Sequence, residues 1–355
     1  MLGVNLAGGP GLQAIVDSGK PPLEVNSSAW VENLNADLLD GLHASHLWKI
    51  GGNPWLATAV LGTTNDHPLE LEVNGARTLR LEPNATSPNL IGGYSGNSVV
   101  DGAQGATIAG GGASGAANMV TDHYGAVGGG ENNRAGSADG LSSNGEFATV
   151  AGGYQNTASG EGSMVPGGIE NTATGIDSFA AGSHARTTSP GSFVWADRQS
   201  CCGDMADSGP NTFTARATGG VYFVSGWSSY SGATAGVRLA PGGGSWSSLS
   251  DRAAKRDFRP IDRRRLLERL ERVPIMRWSY KTQAPSIRHL GPTAQDFRAA
   301  FGLGEDGKHI DSIDSGGVAL AAIQGLYRQN RALQVRVARL ERQIGVLTRS
   351  KGGRR

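Results

Sequence analysis

Val150-Ala-Gly-Gly-Tyr-Gln-Asn156-Thr-Ala158-Ser-Gly160 and Val165-Pro-Gly-Gly-Ile-Glu-Asn171-Thr-Ala173-Thr-Gly175 are two copies of one pattern, 15 residues apart. Val, Gly-Gly, Asn, Ala and Gly recur at matching places. The register continues through Phe179-Ala180-Ala-Gly182 and ends at Phe193-Val194-Trp195. Upstream, Ile91-Gly-Gly, Ile108-Ala-Gly-Gly-Gly and Val127-Gly-Gly-Gly open looser copies, at spacings of 17, 19 and 23 residues. A short strand such as Ala148-Thr-Val150 or Ser163-Met-Val165 cannot bury its apolar side alone. Stacking successive coils pairs each strand with the next and builds a continuous core. Unequal spacings then become loops of unequal length on one side of the stack. The Gly-Gly pairs permit backbone angles and close approach that a Cβ would forbid. Asn156 and Asn171 are expected in the turns, because Asn tolerates the left-handed region. Small inward residues (Ala158, Ala173, Ala180) imply a thin coil, poorly stable as a monomer, so several chains should pack side by side.

The whole chain carries the mark of this array. Of 355 residues, 55 are Gly and only 38% are hydrophobic, about twice the usual Gly share of ~7%. Gly does not recur every third residue, which excludes collagen. No apolar run reaches the ~18 residues of a membrane helix. No basic segment followed by an apolar stretch marks a signal peptide in the first thirty residues; a truncated N-terminus would also fit. The length suits two or three domains. The net charge of +1 hides a division near Ser250. Residues 1–249 hold 9 Lys+Arg against 20 Asp+Glu, a net of −11; residues 250–355 hold 23 against 11, a net of +12. Gly divides as 45 before residue 250 and 10 after.

Several motifs carry no chemistry. Gly110, Gly112 and Gly115 satisfy GxGxxG but lie inside the repeat rather than in a strand–turn–helix unit, so they read as a chance match. His43 and His46 are three apart with no third ligand evident, so no metal is expected. No cofactor motif is present. Cys201–Cys202 is a lone adjacent pair; a disulfide between neighbours is strained, which leaves free thiols or an interchain bridge. Asn26-Ser-Ser and Asn84-Ala-Thr match the glycosylation pattern without a secretory signal to give it meaning.

On either side of the repeat, Val31-Glu-Asn-Leu-Asn-Ala-Asp-Leu-Leu-Asp-Gly41 reads as a short amphipathic segment, equally well as a capped turn of helix. Leu69–Val73 and Ala76–Leu81 alternate around Asn74-Gly75, a hairpin signal. After the repeat, Thr212–Arg216 and Gly220–Val224 read as strands, Ser225–Gly232 as a polar stretch, and Pro241–Leu249 as a flexible Gly/Ser linker.

From Ser250 the character changes. Leu266–Leu270 is helical, and Ile275–Tyr280 alternates like a strand with Met276, Trp278 and Tyr280 on one face. A second helix is expected to run through Phe301. A long helix is expected from about Val318 to Thr348. Ile323, Asn330, Val337 and Ile344 take heptad position a; Ala319, Leu326, Leu333, Leu340 and Leu347 take position d. The alternation holds over four heptads. Asn330 would fix register, and Arg336 can pair with Glu341 of another strand. Branched residues at a with Leu at d favour two strands in isolated parallel coils.

Residues 91–195 resemble the head repeats of trimeric autotransporter adhesins, which implies a parallel β-roll trimer. The membrane-anchor strands of those adhesins have no counterpart here, where the C-terminus is a basic helix. Leu34-Asn-Ala-Asp-Leu-Leu-Asp-Gly41 resembles an element of phage tail fibres. Residues 250–355 resemble the intramolecular chaperone auto-processing domain at the C-termini of endosialidase tailspikes and many tail fibres. The resemblance rests on Ser250-Asp251-x-x-x-Lys255, Ile261-Asp262, Trp278-Ser-Tyr-Lys281, Gly291-x-x-Ala-Gln295 and Ala321-Ala-Ile-Gln324, in that order. His289-Leu-Gly-Pro-Thr departs from it, since that family more often has an apolar run there.

That resemblance implies a Ser–Lys dyad cutting at Leu249–Ser250, with Ser250 as nucleophile and Lys255 as base. Ser needs a base to take its proton. Lys serves only when neutral, which burial or nearby cations such as Arg252 and Arg256 favour. An i, i+5 pair does not share a helix face, so a turn is expected. Spacing alone favours a helix N-cap at Ser250 beside a solvated Lys; the resemblance turns the reading toward the dyad. Asp251 and Gln295 match the same pattern, Asp251 as a structural residue and Gln295 as a core amide.

The expected fold is mainly β: a trimeric parallel β-roll, then a small α+β chaperone domain ending in a coiled coil. The expected divisions are 1–60, 61–90 (hairpin), 91–197 (roll), 198–249 (strands and linker) and 250–355, with the coiled coil at 318–348. The expected protein is a homotrimeric fibre of a phage virion or bacterial surface, with a glycan or other surface receptor as partner and no membrane span. Two rivals stand against it. One is nucleic-acid binding by the +12 domain, which lacks a recognition motif. The other is a polysaccharide-degrading tailspike, for which residues 1–249 offer no carboxylate constellation.

Overall fold

A computed structural model describes residues 17–19, 38, 39, 42, 43, 60–198 and 203–352. Cys201, Cys202, His46 and Asn26 lie outside the described residues. The chain divides into two compact units, Met1–Leu69 and Glu70–Arg355. In the first, Leu38–Leu39 pairs antiparallel with Leu42–His43, Leu39 opposite Leu42. The rest of the Val31–Gly41 stretch, read as an amphipathic segment or a turn of helix, lies outside the described residues.

The second unit is mainly β and is built around a parallel β-solenoid of about seven turns. Each turn contributes one rung to each of two ladders. The first ladder joins Asn89–Gly92, Thr107–Ile108, Ala126–Val127, Thr149–Val150, Met164–Val165, Phe179–Ser183, Phe193–Ala196 and Phe213–Arg216. The second joins Ser98–Val99, Met119–Val120, Arg134–Ala135, Thr157–Ala158, Thr172–Ala173, Ala185–Thr187 and Met205–Ala206. The registers are those of the sequence repeat: Val127 opposes Val150, Val150 opposes Val165, and Ala158 opposes Ala173. Ile108, Val127, Val150, Val165 and Val194 point inward from one ladder, and Ala135, Ala158 and Ala173 from the other, all completely buried. The core is thus a narrow stack of Val, Ile and Ala side chains, in which the second ladder passes from Val99 and Val120 to Ala135, Ala158 and Ala173.

The hairpin Leu69–Val73/Ala76–Glu82 turns at Asn74-Gly75, both at positive φ (54° and 70°). Its second strand lies antiparallel on Asn89–Gly92 and closes the N-terminal edge of the first ladder. At the other end the array extends beyond the expected limit of 197. Phe193–Ala196 pairs in parallel with Phe213–Arg216, and Ala185–Thr187 with Met205–Ala206. Phe179, Phe193 and Phe213 stack at centroid distances of 4.6 and 4.8 Å. The last turn escapes the repeat signature because neither Gly-Gly nor an Asn precedes its Met205–Ala206 strand. Ion pairs hold it instead: Arg216 Nε donates to Asp197 at 2.9 Å, and Arg186 Nε to Asp204 at 2.8 Å.

Asn156 and Asn171 do not occupy the left-handed corners. Gln155 and Glu170, one residue earlier, take φ of 54° and 55°. The Asn side chains are completely buried and run along the stack as a ladder. The backbone N–H of Asn118 donates to Asn97 Oδ1, Asn133 to Asn118, Asn156 to Asn133, and Asn171 to Asn156, all at 2.9–3.0 Å. Each Nδ2 donates to glycine carbonyls of its own turn and of the next; for Asn156 these are Gly152 and Gly168. This links the two marks of the repeat. At Gly182, φ is 97° and an added Cβ would collide with the Ala196 carbonyl of the next turn. Gly182→Ala is therefore expected to cost about 3 kcal/mol, read as a drop of about 5–10 °C in the melting temperature of the solenoid. Gly110, Gly112 and Gly115 lie in this same array.

Beyond the solenoid, Val221–Ser228, Gly232–Leu239 and Trp246–Ser248 form a three-stranded antiparallel sheet. The polar stretch at 225–232 and the linker at 241–249 are corrected by it. A β-bulge at Val224–Trp227 carries the first strand through its serines, and the last strand pairs Trp246 with Leu239. Three helices follow: α1 (Arg263–Leu270), α2 (Ala294–Phe301) and α3 (Ser312–Gly352). Leu266, Phe297, Val318 and Ala322 form their core. Helix α3 begins six residues before the expected Val318.

Candidate self-processing site

Leu249 sits at the end of the three-stranded sheet, its backbone N–H donating to the Gly236 carbonyl at 3.0 Å. The chain then leaves the sheet at Ser250 and makes a single 3-10 turn, Arg252–Ala254. Asp251 is its N-cap, accepting from the Ala253 N–H at 2.9 Å. A carboxylate at such a cap satisfies an otherwise orphan donor. Ser250 is therefore not the cap; it stands one residue outside. The turn folds the i, i+5 pair together, and Lys255 Nζ donates to Ser250 Oγ at 2.5 Å. Both residues are exposed. Of the two flanking cations, Arg252 lies over the Phe258 ring, 4.6 Å from its centre. Arg256 reaches Asp257 at 3.7 Å, with both side chains almost wholly in solvent, where such a pair contributes little.

This arrangement has the parts of a nucleophile–base pair next to an extended peptide bond held at a sheet end. It lacks, within one chain, the burial that favours a neutral lysine. Gln295 is not the core amide expected. It is exposed in the first turn of α2, while its neighbour Ala294 is buried. Thr293 caps that helix, accepting from the Asp296 N–H at 3.2 Å.

The other residues of the C-terminal pattern have evident local work. Asp262 caps α1, accepting from Arg264 and Arg265 N–H at 3.0 and 3.1 Å. Trp278 stands opposite His289 in a two-stranded sheet, their rings 4.7 Å apart, and Tyr280 meets the Trp278 ring edge-on at 4.9 Å. His289 Nε2 also contacts Gln283 Oε1 at 2.8 Å, which gives the departure from the apolar run its own packing. Ala322 is buried and Gln324 accepts from Arg263 Nε at 2.8 Å. At Gly325 an added Cβ would stand 2.9 Å from Leu267, so α1 and α3 approach closely there.

The heptad seam lies along α3. Ile323, Leu326, Leu333, Val337, Leu340, Ile344 and Leu347 are each 48–62% exposed, and Ala319 and Asn330 are exposed with them. Missing from the sequence reading was the sheet that holds Leu249. The alternation in Ala233-Thr-Ala-Gly-Val-Arg-Leu239 could have signalled it. Among the described residues no group of His, Cys, Asp and Glu is arranged to hold a metal, and no helix is long and apolar enough to cross a membrane.

Residues 250–303, from Ser250 through α2, match the family model described as chaperone of endosialidase. No curated protein and no solved structure matches the chain.

Proposed function

We propose that this chain is a fibre protein of a phage tail or bacterial surface that assembles as a homotrimer under the guidance of its C-terminal region, which then detaches by self-cleavage at Leu249–Ser250. The match at 250–303 supports the chaperone role. The observation that carries the assembly reading is the exposed seam of α3. An apolar stripe four heptads long is stable in water only when other helices cover it. A parallel bundle gathers three C-termini and so lowers the entropic cost of registering three solenoids. The thin solenoid core, formed only by the short inward side chains of two ladders, gives each chain reason to need partners.

In the cleavage step Ser250 Oγ attacks the Leu249 carbonyl carbon while Lys255 takes the hydroxyl proton. The Leu249–Ser250 C–N bond breaks and the proton passes to the leaving amine. Water then hydrolyses the ester, leaving a Leu249 carboxyl group and a free Ser250 amine. No external substrate is involved. The basic charge of 250–355 has a counterpart in the acidic 1–249, so nucleic acid is not needed to explain it; salt-sensitive DNA binding by the released C-terminal fragment would revive that rival.

Light scattering on uncleaved Ser250→Ala chain tests the assembly. Three chain masses are expected. Leu333→Lys, which puts a charge at the middle of the seam, should reduce the particle to one chain. A monomeric Ser250→Ala protein at micromolar concentration would sink the assembly reading.

A further inference from the structure

The outward side of the first solenoid ladder carries no charge. Its residues stand in register from turn to turn: Leu90 opposite Thr107, Thr107 opposite Ala126, Ala126 opposite Thr149, and Thr149 opposite Met164. Phe179, Phe193 and Phe213 continue the column. Ala109, Gly128 and Ala151 are exposed beside it, two residues further along their turns. Yet residues 89–216 as a whole hold 4 Arg and no Lys against 11 Asp+Glu, a net of −7. The outward column of the second ladder, by contrast, carries Arg134 and Arg186. Acidic bodies that lie side by side must avoid like charges where they touch, so the uncharged side is the one suited to meeting a copy of this chain.

That side has relief. Leu90 at one end and Met164, Phe179 and Phe193 at the other are large. Thr107, Ala126 and Thr149 between them are small, and Ala109, Gly128 and Ala151 deepen the same dip. At Gly128 an added Cβ would collide with the Ala151 carbonyl, so the floor of the dip stays bare. Beside the dip, at the corner where the chain enters the ladder, stand Tyr124 and Phe147. Their rings stack at 5.5 Å with 5° between their planes. Both residues hold positive φ, 58° and 62°, which is unfavourable for bulky side chains. Such strain persists where the surroundings or a function require it. Here the surroundings do not suffice, because Tyr124 and Phe147 are 39% and 51% exposed. The Tyr124 hydroxyl already accepts from Gln104 Nε2 at 3.2 Å, so covering the ring would strand no polar group.

We infer that the Tyr124–Phe147 pair of one copy seats in the dip at Ala126, Gly128 and Ala151 of the next copy, and that this contact repeats around the axis of the assembly. The inference rests on the assembly proposed above and adds the side and the register on which the solenoids meet. Rings and dip are different parts of one surface. Each copy therefore gives at one edge and receives at the other, a head-to-tail contact that closes once the rotation returns to the first copy. Aromatic anchors in pockets near the centre of an interface carry much of its binding energy. The same fit sets the axial register. A slip of one turn toward the C-terminal end would place Phe147 against Met164 instead of the small residues.

Photocrosslinking tests this on the full chain carrying Ser250→Ala, which keeps α3 attached. With p-benzoylphenylalanine in place of Phe147, irradiation should give a band of two chain masses on a denaturing gel. The joined peptide should contain Ala126–Gly128 or Thr149–Ala151. The same group in place of Met119, outward on the second ladder, should give no such band. Ala151→Lys supplies a second reading, at an exposed place that a longer side chain can occupy in the lone solenoid. Added to the chain with the photoprobe at position 147, it should remove the crosslinked band while light scattering still gives three chain masses. No band from position 147, a band joined through another peptide, or a band that survives Ala151→Lys unchanged overturns the inference. A chain that scatters as a monomer before irradiation fails the proposed assembly itself; three chain masses without the crosslink fail this contact alone.

Discussion

Ser250→Ala leaves a single full-length band on a denaturing gel where the unaltered chain gives two, residues 1–249 and 250–355. The expected loss of rate is about 10⁴-fold or more, the scale on which removing a nucleophile acts in hydrolytic enzymes. Lys255→Ala should do the same. The double replacement should be no worse than either single one, because the two side chains act as a unit. Lys255→Arg should not rescue, since a guanidinium stays protonated and cannot take the Ser250 proton. Asp251→Ala should slow cutting far less, because Asp251 acts on the turn, through the Ala253 N–H, and not on the scissile bond. Asp251→Asn, which keeps a capping acceptor, should restore most of that rate. The geometry behind these expectations is the 2.5 Å contact between Lys255 Nζ and Ser250 Oγ. Two bands persisting at normal rate in Ser250→Ala would remove Ser250 from the chemistry.

The solenoid was legible because its constraint repeats. Val150 and Val165 fill the same inward place in successive turns, and the spacing of 15 is the length of one turn. What the repeat could not reveal was the job of each letter. Asn156 reads as a turn residue by propensity, yet the corner falls at Gln155, and Asn156 instead bonds turn to turn. Local preference lost to a buried hydrogen bond that exists only once the stack forms. The last turn, ending at Arg216, was missed for the opposite reason. Ion pairs and the end of a phenylalanine stack hold it, in place of the Gly-Gly and Asn that mark the earlier turns. The strand Trp246–Ser248 hid behind Gly242-Gly-Gly244, whose composition suggests a flexible tether. Its partner strand shows only as the alternation in Ala233–Leu239, on the far side of those glycines. At the dyad, the residues could be named from the pattern Ser-x₄-Lys and a resemblance. The 3-10 turn that joins them needed the structure, as did the exposure that leaves the pair dependent on its surroundings.

Asn156→Ala should destabilise the solenoid strongly. Asn156 is completely buried. Its Oδ1 accepts from the Asn171 backbone N–H at 3.0 Å, and its Nδ2 donates to the Gly152 and Gly168 carbonyls at 3.0 and 2.9 Å. The Gly168 carbonyl keeps a second donor, the Tyr154 N–H at 3.0 Å. The Asn171 N–H has no replacement acceptor along this ladder, and the Gly152 carbonyl loses the amide that satisfied it. Each buried polar group left without a partner costs about 1–3 kcal/mol. The sum for this site is about 3–5 kcal/mol, or about 10 °C in melting temperature. Asn84→Ala provides the comparison: Asn84 Oδ1 accepts from the Thr86 N–H at 2.9 Å in a surface turn, where water can substitute, and the loss should stay below about 1 kcal/mol. Asn156→Asp should be as harmful as Asn156→Ala, since it keeps the acceptor but loses both donors and buries a charge. The ladder also predicts a direction. Each Asn bonds forward to the next turn, so the damage at Asn156 should spread toward Asn171 and Ala185. Amide hydrogen exchange reads this directly: protection should fall at Asn171 and Ala185 before it falls at Asn118 and Asn133. Equal loss along the whole array would mean that the solenoid opens as one unit and that the amide ladder does not divide it.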